Sequence, residues 1–251
     1  TYFCHNKNLY KNILSKVYKY YMKILAVQSK KGIGDTVIFL PFMKALSKKF
    51  NSPISILVKE NSKANQYLHQ TKYIDKILIL ERDNKTNNRH DGFFGIFNLA
   101  TDLKKHKFEK IFIFNSSLRF SLVAKISGIP QVYQYPLFAK NKQHIIEAPK
   151  KFLKENLDLD INEDPEVQID NDSISKASQK FQIDKNTTNI LLGIGGSGPT
   201  KRIPAKTFLS VIDKISNIKN SKFFLATGKT NEEQEILNEI LQSNLKILAL
   251  V

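Results

Sequence analysis

The stretch Lys30-Lys31-Gly32-Ile33-Gly34-Asp35-Thr36 decides how this chain is read. The apolar run Ile24-Leu25-Ala26-Val27 precedes it, and an amphipathic stretch over residues 37–50 follows. That order spells strand, glycine turn, helix, the opening unit of a doubly wound α/β sheet. Phe39, Met43, Leu46 and Phe50 recur at spacings of four, three and four, which sets them on one helical face. Pro41 fits the first turn of such a helix and kinks it if deeper. The turn places Asp35 at the carboxyl end of the strand, where an open α/β sheet holds its ligand. Two readings of this aspartate stand side by side. It caps the helix that follows, or it takes a proton from an incoming hydroxyl group. The turn has neither the third glycine of a dinucleotide fingerprint nor the Gly-Lys-Ser/Thr ending of a P-loop.

The alternation continues outward. Strands are expected at 54–58, 77–80, 111–114 and 132–135, and helices at 93–105 and 117–126, with a polar loop over 82–91. Residues 156–172 collect Asp158, Asp160, Glu163, Asp164, Glu166, Asp170 and Asp172 around Pro165 and read as a linker plus an edge segment. The pattern then restarts with a helix at 173–181, a strand at 190–193, a helix at 204–218, a strand at 222–226, a helix at 231–242 and a strand at 245–250. Each half begins from a strand and a glycine turn, so two Rossmann-like domains are expected, at 22–160 and 161–251. Met22 stands directly before the first strand, so residues 1–21 are expected to be an extension upstream of the natural start. Residues 246–251 form an apolar run with no element after it, so the second domain is expected to be incomplete.

Composition bounds the chemistry. The 251 residues are 41% hydrophobic and 25% charged, as in ordinary globular proteins. Lys and Arg number 39 against 23 Asp and Glu, a formal charge of +16. Such a balance suits an anionic partner (nucleic acid, anionic lipid or a phosphorylated substrate) or a solvated basic surface. Cys4 is the single cysteine, which excludes an intrachain disulfide and a cysteine-based metal cluster and fits the reducing cytosol. The five histidines show no metal-ligand spacing, so no metal site is expected. No nucleophile elbow of the GxSxG type occurs, and no run reaches the roughly 18 apolar residues of a membrane span. Over residues 10–23, Leu14, Val17, Tyr18 and Tyr21 recur at helical spacing with Lys11, Lys16, Lys19 and Lys23 between them, a pattern suited to an anionic lipid surface.

A second turn, Gly193-Ile194-Gly195-Gly196-Ser197-Gly198-Pro199-Thr200-Lys201-Arg202, leads into a helix. Its glycines let backbone N–H groups approach an anion, and the helix N-terminus favours negative charge. Ser197 and Thr200 supply hydroxyls, and Lys201 and Arg202 neutralise phosphates. The reading is a diphosphate site, set against a basic surface loop. In a third turn, Thr227-Gly228-Lys229-Thr230-Asn231-Glu232-Glu233, Asn231 and the acids cap the next helix, or an acid or hydroxyl binds a ribose. Asn115, Ser116 and Arg119 lie where the strand at 111–114 ends. Arg119 there holds an anionic acceptor or is a solvated helix arginine.

The ordered set of segments 24–46, 115–128, 144–153, 193–208 and 225–235 resembles glycosyltransferase family 9, the ADP-heptose:lipopolysaccharide heptosyltransferases. The resemblance implies a GT-B architecture, with an acceptor domain, a nucleotide-sugar domain and a cleft between them. It implies Asp35 as the catalytic base, Gly196, Ser197, Thr200 and Lys201 as donor-phosphate contacts, and Gly34, Asn115, Ser116 and Arg119 on the acceptor side. The family's ribose-binding acid has its place near Gly228, taken here by Thr230 or, with a shift, by Glu232. A later DSGxxH-like turn of the family has no counterpart before residue 251. The activity implied is inverting transfer of a sugar, heptose from ADP-heptose, onto an anionic lipid-linked saccharide of the lipopolysaccharide core. The resemblance further implies peripheral attachment to the cytosolic face of the inner membrane, with no cofactor and no nucleic acid. The rival expectations are a basic nucleic-acid-binding protein and a non-catalytic fragment that binds a sugar nucleotide.

Overall fold

A computed structural model describes residues 21–30, 32–82, 88–137, 144–196, 202–228 and 230–243, together with the backbone of 247–250. The chain divides into two compact units, one ending at Asp170 and the other starting at Asn171.

The first unit runs β1 (Ile24–Val27), α1 (Ile33–Val37), α2 (Leu40–Phe50), β2 (Ile54–Lys59), a 3-10 turn at Glu60–Ser62, α3 (Ala64–Tyr67), β3 (Ile74–Leu80), α4 (Phe94–Lys104), β4 (Lys110–Ile113), α5 (Leu118–Ile126), β5 (Gln131–Gln134) and α6 (Glu147–Leu157). Its five strands lie in the order β3-β2-β1-β4-β5, and all neighbours are parallel. Ile24 pairs with Ile54 on one side and with Lys110 on the other, so β1 is the central strand. The strand order reverses beside β1, and the crevice at the carboxyl ends of β1 and β4 is the switch point at which such sheets bind ligands.

Alternation along β1 builds the two cores. Ile24 and Ala26 join Leu40, Phe42, Met43 and Leu46 of α2 and Phe152 and Leu153 of α6 on one face. Leu25 and Val27 join Leu99 and Leu103 of α4 and Phe120 and Val123 of α5 on the other. A strand covered on both faces reads as an unbroken apolar run, which is why all four residues of β1 are buried. The amphipathic stretch at 37–50 proves to be two helices rather than one. α1 ends at Val37, and α2 restarts at Leu40 with Pro41 in its first turn, where the missing N–H costs no intrahelical bond.

The acidic stretch after α6 contains no strand; it runs along the first unit. Ile161 is buried in that unit's core, and Glu163 bridges Lys44 at 2.8 Å and Lys48 at 2.5 Å. The Lys72 amide donates to Gln168 at 3.0 Å, and the Asp170 amide to Gln70 at 2.8 Å. These contacts carry the first unit to Asp170.

The second unit runs α7 (Asn171–Lys180), β6 (Thr188–Ile194), α8 (Ala205–Ile218), β7 (Ser221–Thr227), α9 (Asn231–Leu241) and β8 (Ile247–Leu250). Its three strands are parallel in the order β6-β7-β8. Phe208 and Ile212 of α8 and Leu237 and Ile240 of α9 pack on Phe223 and Leu225 of β7.

Candidate active site

Gly32 is the residue before α1, and Asp35 is the third residue of that helix. The Gly32 amide donates to Asp35 Oδ2 at 3.0 Å, so the aspartate closes the turn as a cap. The buried Gln28 braces the same turn: its Nε2 donates to the Asp35 carbonyl at 3.0 Å and its Oε1 accepts from the Lys30 amide at 2.7 Å. A carboxylate has about four lone-pair sites. Beyond the bond from Gly32, the partly exposed Asp35 carboxylate keeps lone pairs for further hydrogen bonds among the described residues.

Across the switch point, Asn115 Nδ2 donates to Ser29 Oγ at 2.7 Å and joins the loops after β1 and β4. Asn115 Oδ1 accepts from the Ser117 amide at 2.7 Å and opens α5. Gln134 of β5 supports this corner by donating to the Asn115 and Ser117 carbonyls, each at 2.9 Å.

A cavity of about 480 Å³ opens at this edge of the sheet. Lys30 and Ser116 reach it from the two loops, Phe39, Phe114, Tyr135 and Phe152 form aromatic walls, and Lys151 and Glu155 of α6 pair at 3.7 Å on its border. The rings of Tyr135 and Phe152 meet edge to face with centroids 5.1 Å apart. The Tyr135 hydroxyl is buried with no hydrogen-bond partner among the described residues, and burial pushes its phenol pKa up. Tyr135, Phe152 and Lys151 are the residues the sequence reading missed here. Tyr135 was visible only as the end of a short strand, and α6 was hidden by its polarity.

Arg119 is half-buried and bonds to backbone carbonyls. Its Nη1 donates to the Gly92 carbonyl at 2.7 Å and its Nη2 to the His90 carbonyl, which fixes the loop before α4. Gly95 is needed beneath it, since a β-carbon there would strike His90 backbone atoms. Gly34 lies exposed on α1 with open space around it. Ser116 lines the cavity.

In the second unit, Ser197, Thr200 and Lys201 lie outside the described residues. Gly196 is the last residue described before them, and Gly195 has φ +120°, a conformation that favours glycine. The cap of α9 is Thr230 rather than Asn231: Thr230 Oγ1 accepts from the Glu233 amide at 3.4 Å, and Glu233 Oε2 accepts from Thr230 Oγ1 at 2.9 Å. Glu232 is exposed and pairs with Arg202 at 3.7 Å. Its carboxyl is held below the usual range by its own backbone amide and by that arginine. Of the two acids read as capping this helix, Glu233 is the one that closes the capping box. Its carboxylate occupies the space beside Gly195 and Gly228, at the carboxyl ends of β6 and β7, and a β-carbon on either glycine would collide with it. The Thr-x-x-Glu spacing of a capping box was the signal that pointed to it.

Among the described residues, no group of three His, Cys, Asp or Glu side chains is placed to hold a metal ion, and no helix is long and apolar enough to cross a membrane.

A five-stranded parallel sheet of order 3-2-1-4-5, followed by a second parallel α/β unit, defines a Rossmann-like protein of the GT-B-like class. Solved structures of glycosyltransferase family 9 share this fold. The chain is similar to the glycosyl transferase family 9 protein from Veillonella parvula DSM 2008, with TM-score 0.73 and 18% identity over 91% of this chain and 69% of that one. It is similar to ADP-heptose LPS heptosyltransferase II from E. coli, with TM-score 0.65 and 17% identity over 92% of this chain and 72% of that one. It is also similar to E. coli heptosyltransferase WaaC with ADP, with TM-score 0.63 and 11% identity over 92% of this chain and 75% of that one. No protein-family model matches the chain, and no curated protein matches it in sequence.

Proposed function

We propose that this protein is an inverting GT-B glycosyltransferase that moves a sugar, heptose from ADP-heptose, onto a hydroxyl of an anionic, lipid-linked saccharide of the lipopolysaccharide core. The observation that carries the reading is the placement of Asp35. The Gly32 amide fixes it at the carboxyl end of the central strand, in the turn whose neighbour Lys30 lines the aromatic cavity. The cavity suits the acceptor: rings stack on the apolar faces of a sugar, and Lys30 and Lys151 attract its negative charge.

In this reading Asp35 accepts the proton of the acceptor hydroxyl. The hydroxyl oxygen attacks the anomeric carbon, the bond from that carbon to the diphosphate oxygen breaks, and the nucleoside diphosphate leaves with the bonding electrons. One in-line displacement inverts the anomeric configuration. Gly196, Ser197, Thr200 and Lys201 take the departing diphosphate, where N–H and cationic groups stabilise developing charge. Glu233, between Gly195 and Gly228, is placed to hold ribose hydroxyls.

The test is a transfer assay on the full chain, with ADP-heptose and a panel of other nucleotide-sugars against a deacylated lipopolysaccharide core acceptor. Product formed by the wild type and lost in D35N supports the assignment. A wild type that binds no nucleotide-sugar in calorimetry overturns it.

A further inference from the structure

The outer faces of α4 and α5 are unusually apolar. Phe93, Phe94 and Phe97 are 69%, 78% and 45% exposed. Their rings gather on one another rather than on the core, with centroids 5.5 Å apart for Phe93 and Phe97 and 6.1 Å for Phe93 and Phe94. On α5, Leu118, Leu122 and Ile126 recur every fourth residue and are also exposed. The bond from Arg119 to the Gly92 carbonyl joins the start of α5 to the loop before α4, so both stripes open from one corner. Scattered apolar side chains on a surface need no explanation, but a cluster of three rings beside an exposed stripe on the neighbouring helix marks an interaction site.

Charge decides what kind of partner fits. Along α4 the exposed positions Phe94, Phe97, Thr101 and Lys104 share one face, and on α5 the stripe ends at Lys125 and Ile126. Apolar stripes that finish in lysine are built for a water–lipid boundary, where the stem lies along the acyl region and the ammonium reaches the headgroups. Residues 88–137 carry seven Lys and Arg against three Asp and Glu. A second copy of the chain would bring like charge against like charge across a two-fold interface, whereas an anionic bilayer offers the opposite sign.

We infer that Phe93, Phe94 and Phe97, with the exposed stripe of α5, dock the first unit on an anionic lipid bilayer. α4 and α5 follow β3 and β4, so their first turns lie at the same sheet edge as the cavity lined by Lys30, Ser116 and Tyr135. α4 and α5 cover the face of the sheet opposite the one that carries Phe39, Phe114 and Phe152, so docking through them leaves the cavity uncovered. The inference extends the functional reading above by naming the surface that meets the lipid.

The test is flotation of the full chain with vesicles of phosphatidylglycerol and phosphatidylcholine at a ratio of about 1:2, beside vesicles of phosphatidylcholine alone. The wild type floats with the anionic vesicles, less so at high salt, and F93S/F94S/F97S lowers the bound fraction about tenfold or more. Separately, F94W emission shifts to the blue on the same vesicles. A wild type that stays unbound, a triple variant that floats like the wild type, or an unshifted F94W overturns the inference. So does a dimer that dissociates in the triple variant without any flotation. The vesicles contain neither donor nor acceptor. A chain that floats but transfers no sugar therefore keeps the docking surface and loses the catalytic reading; one that transfers without floating does the reverse.

Discussion

Asp35 Oδ2 accepts the Gly32 amide hydrogen at 3.0 Å, so the proposed base is anchored by the glycine turn that precedes it. The cap and the base are therefore one group serving two ends, and they separate by substitution. Asparagine retains an amide oxygen that accepts from Gly32 but loses the basicity. D35N is expected to lower kcat by about 10²–10⁴-fold, the usual worth of a general base, while thermal melting stays within experimental error of wild type. D35A removes both roles and is expected to cost about 1 kcal/mol in stability as well. A D35N enzyme with wild-type turnover removes the base assignment.

Glu233 gives the second prediction. Glutamine at the same place in a capping box still serves the Thr230 amide, so E233Q keeps α9 intact. What it loses is the negative charge beside Gly195 and Gly228. ADP binding measured by titration calorimetry is expected to weaken about tenfold, the worth of a hydrogen bond to a charged acceptor. G195A is expected to act on stability instead. It forces a side chain into φ +120° and into the seat of the Glu233 carboxylate. An unchanged ADP affinity in E233Q takes Glu233 out of the donor site.

Asp102 predicts a pH dependence. Burial opposes its ionisation, but hydrogen bonds from Arg89, Lys105 and His90 outweigh that and hold its carboxyl well below the ordinary value of 3.8. A lowered carboxyl stabilises the fold in full above its unfolded value, and this stability is lost as pH falls through the folded value. At pH 7, D102N is expected to melt about 2–4 °C below wild type, as for a partly exposed ion-pair network. The difference between the two is expected to close as pH drops below 3.8. Melting curves at stepped pH read this directly, and a gap that widens toward acid contradicts it.

The sheets were legible in the sequence because their strands are covered on both faces. A strand such as β1 has no polar alternation, and its apolar run, bounded by Lys23 and Gln28, marks it at once. The break between α1 and α2 was foreshadowed by Pro41, which a single helix over 37–50 could not place in its first turn. α6 was not legible. Pro149, Lys150 and Lys151 in its first half break any apolar periodicity, and only its packing of Phe152 and Leu153 on the core explains it. The partners of Arg119 and Glu233 were not legible for a common reason. Composition says that a charge is present, but only the backbone path says which carbonyl or amide lies within its reach.

Tyr135 offers the last test, because one substitution moves two observables in different directions. Its hydroxyl is buried beside the cavity with no partner among the described residues. A buried hydroxyl left unbonded costs about 1–3 kcal/mol. Removing it should therefore not weaken the free protein, and Y135F is expected to melt at or slightly above the wild-type temperature. If the acceptor sugar occupies the cavity, the same hydroxyl bonds to it, and Y135F is expected to raise the acceptor KM about 3–10-fold with little change in kcat. A cavity that serves only to pack Phe114 and Phe152 would leave KM unchanged. Steady-state kinetics with the acceptor varied at saturating donor, run beside a melting curve, separates the two cases.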